Sequence, residues 1–188
     1  SDSSFSNWQS FDILEHGIRV GYADPAISEV PNHRITFNNV RSYRPYGCGF
    51  KCDDNDHFSI KQITVNGLYT EDVGHDYWSQ PDYSPLGGIT NDDNKVACAI
   101  RNSQYVNITS FMNRKNLYSH SGQMGFWTEK SNHVHANGID TEYSRKDGVV
   151  IQGGINDVQV ITLRGVRTQY NGENGLYIRP VLNSDTFR

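Results

Sequence analysis

The sequence predicts an all-β fold, a right-handed parallel β-helix in which one chain winds as a single-stranded solenoid through about six coils. Three observations predict it. Six positions, Trp8, Val40, Leu68, Phe111, Ile139 and Val166, recur as anchors of one local pattern. Apolar residues alternate with period two on either side of them, which is strand periodicity. Intervals of 28, 28 and 27 residues separate Val40 from Leu68, Phe111 from Ile139, and Ile139 from Val166. A unit that returns in register so often cannot bury its apolar face alone and has to stack on its neighbours. The right hand follows from the general rule for parallel crossovers.

Each coil has the same parts. Its first strand carries inward residues five places before the anchor, at Ile35, Ile63, Val106, Val134 and Ile161. Three places before it stand Phe5, Phe37, Val65, Ile108, Ala136 and Leu163. Asn38-Asn39, Asn66-Gly67, Asn137-Gly138 and Arg164-Gly165 then supply residue types that tolerate positive φ and a tight bend. Two places after the anchor a small polar column runs Ser10, Ser42, Thr70, Asn113, Thr141 and Thr168. Glycine follows nine places after the anchor at Gly17, Gly49, Gly148 and Gly175, opening a second strand. The inward residues of that strand are Ile18/Val20, Phe50/Cys52, Cys98/Ile100, Phe126/Thr128, Val149/Ile151 and Leu176/Ile178.

The nine-residue interval fails twice. Leu68 to the matching Ala97 spans 29 residues, and Phe111 to Gly125 spans 14. Coils three and four therefore carry insertions of 20 and five residues at one corner of adjacent levels. Insertions in solenoids fall on loops that often build the binding face. The longer insertion lies within Asp72–Lys95 and holds His75, Asp76, Tyr77, Trp78, Asp82 and Tyr83. The plainer alternative is a loop that packs its aromatics against the coils. The whole of 1–188 is expected to be one domain, part of a longer chain, with 72–95 as its inserted loop.

Composition narrows the partners. The chain is 36% hydrophobic, rich in Gly, Asn and Tyr, and carries a net charge of -4. A nucleic-acid surface would need a concentrated basic face, which this balance argues against. No stretch approaches the length of a membrane span, and the first residues lack the pattern of a signal peptide. Cys52 and Cys98 fall on inward positions in different columns, as buried thiols do; Cys48 beside Gly49 is left open.

Outward positions form ladders about 4.8 Å apart. In the first strand one ladder runs Tyr43, Glu71, Arg114, Glu142 and Gln169. In the second strand, Arg19, Lys51, Ala99, Trp127, Val150 and Tyr177 form one column, and Gly21, Asp53, Arg101, Glu129, Gln152 and Arg179 the next. Paired carboxylates roughly 6.5–9.5 Å apart suit inverting glycoside hydrolysis, one as acid and one activating water. Cross-strand charge pairing on an exposed sheet gives the same pattern. Location favours the second-strand ladder: Glu129 is the expected acid or base, with Asp53 and Asp76 as partners. Arg101 and Trp127 complete the floor, and Trp78 and Tyr83 reach in from the loop. Lys115 and His120, near the second insertion, suit an acidic sugar, whose carboxylate a lyase must neutralise. No cofactor is called for. Calcium is the one ion that the oxygen-rich runs Cys52–His57 and Asn91–Asn94 would suit.

With its stacked columns the chain resembles the right-handed parallel β-helix of pectate lyases, polysaccharide hydrolases and bacteriophage tailspikes over about residues 5 to 180. Its coil length and its Tyr and Asn content are most similar to a tailspike or tail-appendage segment. That resemblance implies a homotrimer at the virion surface or outside the cell, acting on a polysaccharide or cell-surface glycan. Arg41-Ser-Tyr-Arg44-Pro45 departs from the Arg-x-Pro-x-x-Arg stretch of pectate lyases, so no catalytic residue is carried over by motif. A depolymerase, a receptor-binding or structural fibre segment without catalysis, and a secreted bacterial lyase or epimerase are the readings that follow.

Overall fold

A computed structural model describes residues 2–13, 15–21, 34–53, 62–74, 95–114, 124–153 and 160–179. Their strands, in chain order, are β1 (Asp2–Ser6), β2 (Gln9–Phe11), β3 (Ile18–Gly21), β4 (Arg34–Tyr43), β5 (Phe50–Asp53), β6 (Gln62–Glu71) and β7 (Val96–Arg101). β8 (Gln104–Arg114), β9 (Met124–Glu129), β10 (Asn132–Glu142), β11 (Val149–Gln152), β12 (Ile161–Gln169) and β13 (Leu176–Arg179) follow. One sheet runs β1-β4-β6-β8-β10-β12, with β2 also on β4; the other runs β3-β5-β7-β9-β11-β13. All pairings are parallel, and each coil contributes a strand to either sheet, so the chain is a parallel β-solenoid.

Register follows the apolar columns. Ile35, Ile63, Val106, Val134 and Ile161 lie directly over one another. So do Val40 and Leu68, then Phe111, Ile139 and Val166. A slip of one residue would turn all of these to the other face, so burial pins the pairing. Phe50, Phe111 and Phe126 are the largest side chains wholly enclosed. Each sheet path holds six strands, and the solenoid makes about four turns where the sequence predicts about six coils. Trp8 is 54% exposed and Val166 39% exposed, because among the described residues no further level lies over them.

The small polar column and the glycines explain one another. Ser42, Thr70, Asn113 and Thr141 are fully buried, and the Thr70 hydroxyl donates to Asn113 Oδ1 at 2.9 Å. A Cβ on Gly49 would lie 2.5 Å from Thr70 Cγ2 and 2.7 Å from the Ala97 carbonyl oxygen. The strand entry therefore packs backbone against short side chains, and bulk on either side would push the sheets apart. Left-handed backbone recurs at the residue before the anchor, at Asn7, Asn39, Gly67, Ser110, Gly138 and Gly165. It bends each long strand of the first sheet into two facets.

The two sheets differ outside. β8 alternates buried and exposed residues along its length, whereas every residue of β9 is buried. Lys51, Asp53, Ala99, Trp127 and Val150 point away from the solenoid core and are buried as well. A second apolar cluster of Cys48, Val96, Ala99, Met124, Trp127 and Val150 lies on that outer face. All three cysteines are buried free thiols, and burial pushes the Cys48 thiol up to about 11.

Coil one is tied to coil two by His16, whose Nδ1 accepts the Cys48 N–H at 2.9 Å. Burial, then the nearby Lys51 and Arg19, lower the His16 pKa from 6.5 to about 4, against a smaller opposing pull from Asp53. The neutral ring is thus what the folded state requires. Its stabilisation is complete above the unfolded value of 6.5 and is lost as pH falls from there towards 4, up to about 3 kcal/mol. Denaturant unfolding between pH 7 and 4 should show that slope in the native chain and a flatter one in His16→Gln; equal slopes would contradict it.

Core position sets the cost of a buried charge. Val106→Asp, in a fully enclosed turn, should abolish cooperative folding, since an unpaired buried charge costs several kcal/mol. Ile161→Asp sits in the last, half-open level and should leave a folded, less stable protein. Circular dichroism melts of the two variants decide it.

Candidate functional site

The second-strand ladder forms as a contiguous cluster. Asp53, Arg101, Glu129 and Gln152 are successive cross-strand partners. Arg101 Nε stands 2.7 Å from Glu129 Oε2, and the Gln152 amide donates to Glu129 Oε1 at 2.8 Å. On the other side, Arg101 Nη1 is 3.7 Å and Lys51 Nζ 3.3 Å from Asp53 Oδ2. The Arg101 guanidinium also lies over the Trp127 ring, 5.0 Å from its centroid.

This floor is closed rather than open. Asp53, Glu129 and Trp127 are 6%, 8% and 3% exposed. Trp127, placed on the floor by its outward column, fills the outer apolar cluster beside the small Ala99. Both Glu129 oxygens already accept hydrogen bonds. Among the described residues the buried Trp127 indole N–H has no hydrogen-bond acceptor. An orphaned buried donor costs about 1–3 kcal/mol, which a ligand oxygen would recover.

Asp76, Trp78, Tyr83, Lys115 and His120 lie outside the described residues, as do most of the oxygen-rich runs Cys52–His57 and Asn91–Asn94. Among the described residues no group of three or more His, Cys, Asp or Glu side chains could hold a metal. No helix among them is long and apolar enough to cross a membrane.

The first-strand ladder is more accessible and larger than its sequence pattern indicates. Arg114 Nη2 is 2.7 Å from Asp140 Oδ2 and its Nε 3.2 Å from Glu142 Oε1. Arg167 pairs with the other side of Asp140, and Gln169 donates to Glu142 Oε2 at 3.1 Å. Burial pushes the Asp140 carboxyl up, but hydrogen bonds from Arg167 and Arg114 outweigh it and hold the group below the usual range. Asp140 thus stays ionised at neutral pH. Glu71 accepts from the Tyr69 hydroxyl at 2.5 Å, and burial followed by that bond raises the Tyr69 pKa strongly.

Aromatic rings continue the facet. Phe11 stacks on Tyr43 at 4.8 Å with planes 5° apart, and Tyr43 meets Tyr69 at 5.6 Å. Phe11 is 52% exposed. Tyr69, Asp140 and Arg167 escape the sequence reading although the signal is present, since Arg41, Tyr69, Met112, Asp140 and Arg167 occupy one outward column beside the ladder. Side by side, a flat aromatic run and a row of carboxylates bridged by arginine offer a stacking surface and bidentate hydrogen bonding. No family model, curated protein or solved structure matches this chain.

Arg101 separates two otherwise repelling buried carboxylates. Arg101→Ala should cost about 3 kcal/mol or more, because it removes the guanidinium that Asp53 and Glu129 share and leaves two buried carboxylates less compensated. Arg101→Ala combined with Glu129→Gln should recover part of that loss. Urea unfolding of the single and double variants measures it.

Proposed function

We propose that the chain recognises a polysaccharide or cell-surface glycan along its solenoid, as a tailspike-like segment in an extracellular or virion-surface homotrimer. One observation carries the reading: the run Phe11–Tyr43–Tyr69 adjoins the Glu71–Arg114–Asp140–Glu142 ladder on a solvent-facing facet of a rigid sheet. Apolar sugar faces stack on such rings while ring hydroxyls bond the carboxylates and Arg114. These groups sit on long paired strands, so little ordering entropy opposes binding.

A second reading is depolymerisation at the second-strand ladder, favoured by the unsatisfied Trp127 N–H beside Arg101 and Glu129. Glu129 would act as acid or base with Asp53, two levels or about 10 Å away, as partner. That chemistry requires Glu129 to exchange the Gln152 or Arg101 contact for substrate.

Binding and turnover separate the two. Titration against capsular, O-antigen and teichoic-acid polymers should show saturable binding that Tyr43→Ala weakens roughly tenfold. If reducing ends or unsaturated products are released, Glu129→Gln should lower turnover by about a hundredfold or more with binding retained. Absence of binding to every glycan class, with the fold intact, would remove both readings.

A further inference from the structure

The first facet of the same sheet, before the left-handed bend, has a different chemistry. Residues four and two places before the anchor point outward and pair level by level: Thr36 with Thr64 and Asn107, and Asn38 with Asn66 and Thr109. These six make a grid of three rows and two columns. Every member is a short hydroxyl or amide, and each is exposed or half-buried. The grid holds no carboxylate and no amine, unlike the facet beyond the bend.

Its geometry is fixed by the backbone. Rows repeat about 4.8 Å apart along the solenoid axis, and the two columns lie about 6–7 Å apart across the strand. Within the second column the Asn66 amide donates to Asn38 Oδ1 at 2.9 Å, and Asn38 donates to Ser6 Oγ at 3.4 Å. Those bonds orient the amides and use one of the two N–H groups of each. Threonine is stiff at χ1, so the first column is also held. The face is thus a pre-ordered lattice of uncharged donors and acceptors with one repeat direction.

We propose that this facet is a binding surface for a linear, neutral polysaccharide lying along the solenoid axis. The inference rests on the glycan reading above and specifies the polymer's charge, direction and second contact surface. A polymer that repeats hydroxyls along a line matches a lattice that repeats Ser, Thr and Asn along a line. Arg34, at the start of the first row, is already paired with Asp2 at 2.8 Å, so an anionic chain would have to break that pair, and a small sugar reaches too few rows. Each water-exposed hydrogen bond contributes little net. Affinity therefore accumulates over rows, which makes dependence on oligomer length the signature of the site.

The test is isothermal titration of the whole chain with neutral oligomers of β-linked glucose and N-acetylglucosamine of increasing length, beside uronate oligomers matched in length. Affinity for the neutral series should rise with length and fall at least tenfold in the double variant Asn107→Lys, Thr109→Lys, whose positions are exposed and whose melting temperature should stay near that of the native chain. Tyr43→Ala should keep the length dependence. Neutral binding unaffected by the lysine pair, affinity independent of length, or a preference for uronates would overturn this inference while leaving glycan recognition standing. Binding of no glycan at all would overturn both.

Discussion

In-register parallel stacking is the constraint on which everything else in this molecule depends. A single coil has a few apolar side chains on one side and polar ones on the other, and cannot close a core alone. Only when Ile63 lies between Ile35 and Val106, and Leu68 between Val40 and Phe111, does each side chain lose its water. The same register then sets the outward columns, because alternate residues must point the other way. The ladders on the surface are consequences of core packing. No long-range folding of loops is needed to bring Asp53, Arg101 and Glu129 together, or Glu71, Arg114 and Glu142.

The interior corner shows how narrow the tolerance is. Short side chains at Ser42, Thr70 and Thr141 leave the space that the backbone at Gly17, Gly49 and Gly125 occupies. The polar character there has a cost, since among the described residues the buried hydroxyls of Ser42 and Thr141 have no hydrogen-bond partner. Size explains the column better than hydrogen bonding does: Thr70 and Asn113 bond one another, while their neighbours in the same column do not. Alanine matches only Ser42 in size; at Thr70 and Thr141 it would remove the methyl that packs against the glycine backbone.

Much of the fold is legible in the sequence because its information is periodic. The column Ile35, Ile63, Val106, Val134, Ile161 can be read from spacing alone, and so can the positive φ of Asn39, Gly67, Gly138 and Gly165. The candidate site is legible only in part. Alternation tells which way Trp127 points but not whether that side meets water. A signal was present in the strands themselves: Val96-Ala97-Cys98-Ala99-Ile100 and Met124-Gly125-Phe126-Trp127 are continuous apolar runs, as in parallel sheets buried on both faces. Asp140 and Tyr69 escaped for another reason. Their column mixes Arg, Tyr, Met and Asp, and the three-dimensional reach of Arg114 to Asp140 and of the Tyr69 hydroxyl to Glu71 joins it to the ladder beside it.

Charge pairing explains why the facets differ in what they leave for a ligand. On the outer face of the second sheet, burial forces Asp53 and Glu129 to take partners, and those partners consume the oxygens that catalysis would use. Beyond the bend of the first sheet, Arg114 is shared between Asp140 and Glu142, while Phe11 and Tyr43 keep ring surface at the solvent boundary. Before the bend the Arg34–Asp2 pair at the start of the strands neutralises itself, and the short Thr and Asn side chains that follow retain hydrogen-bonding capacity. A rigid solenoid thus separates by facet what a globular site mixes in one pocket. Its buried ladder holds the coils in line, and its outward polar and aromatic groups repeat along the axis.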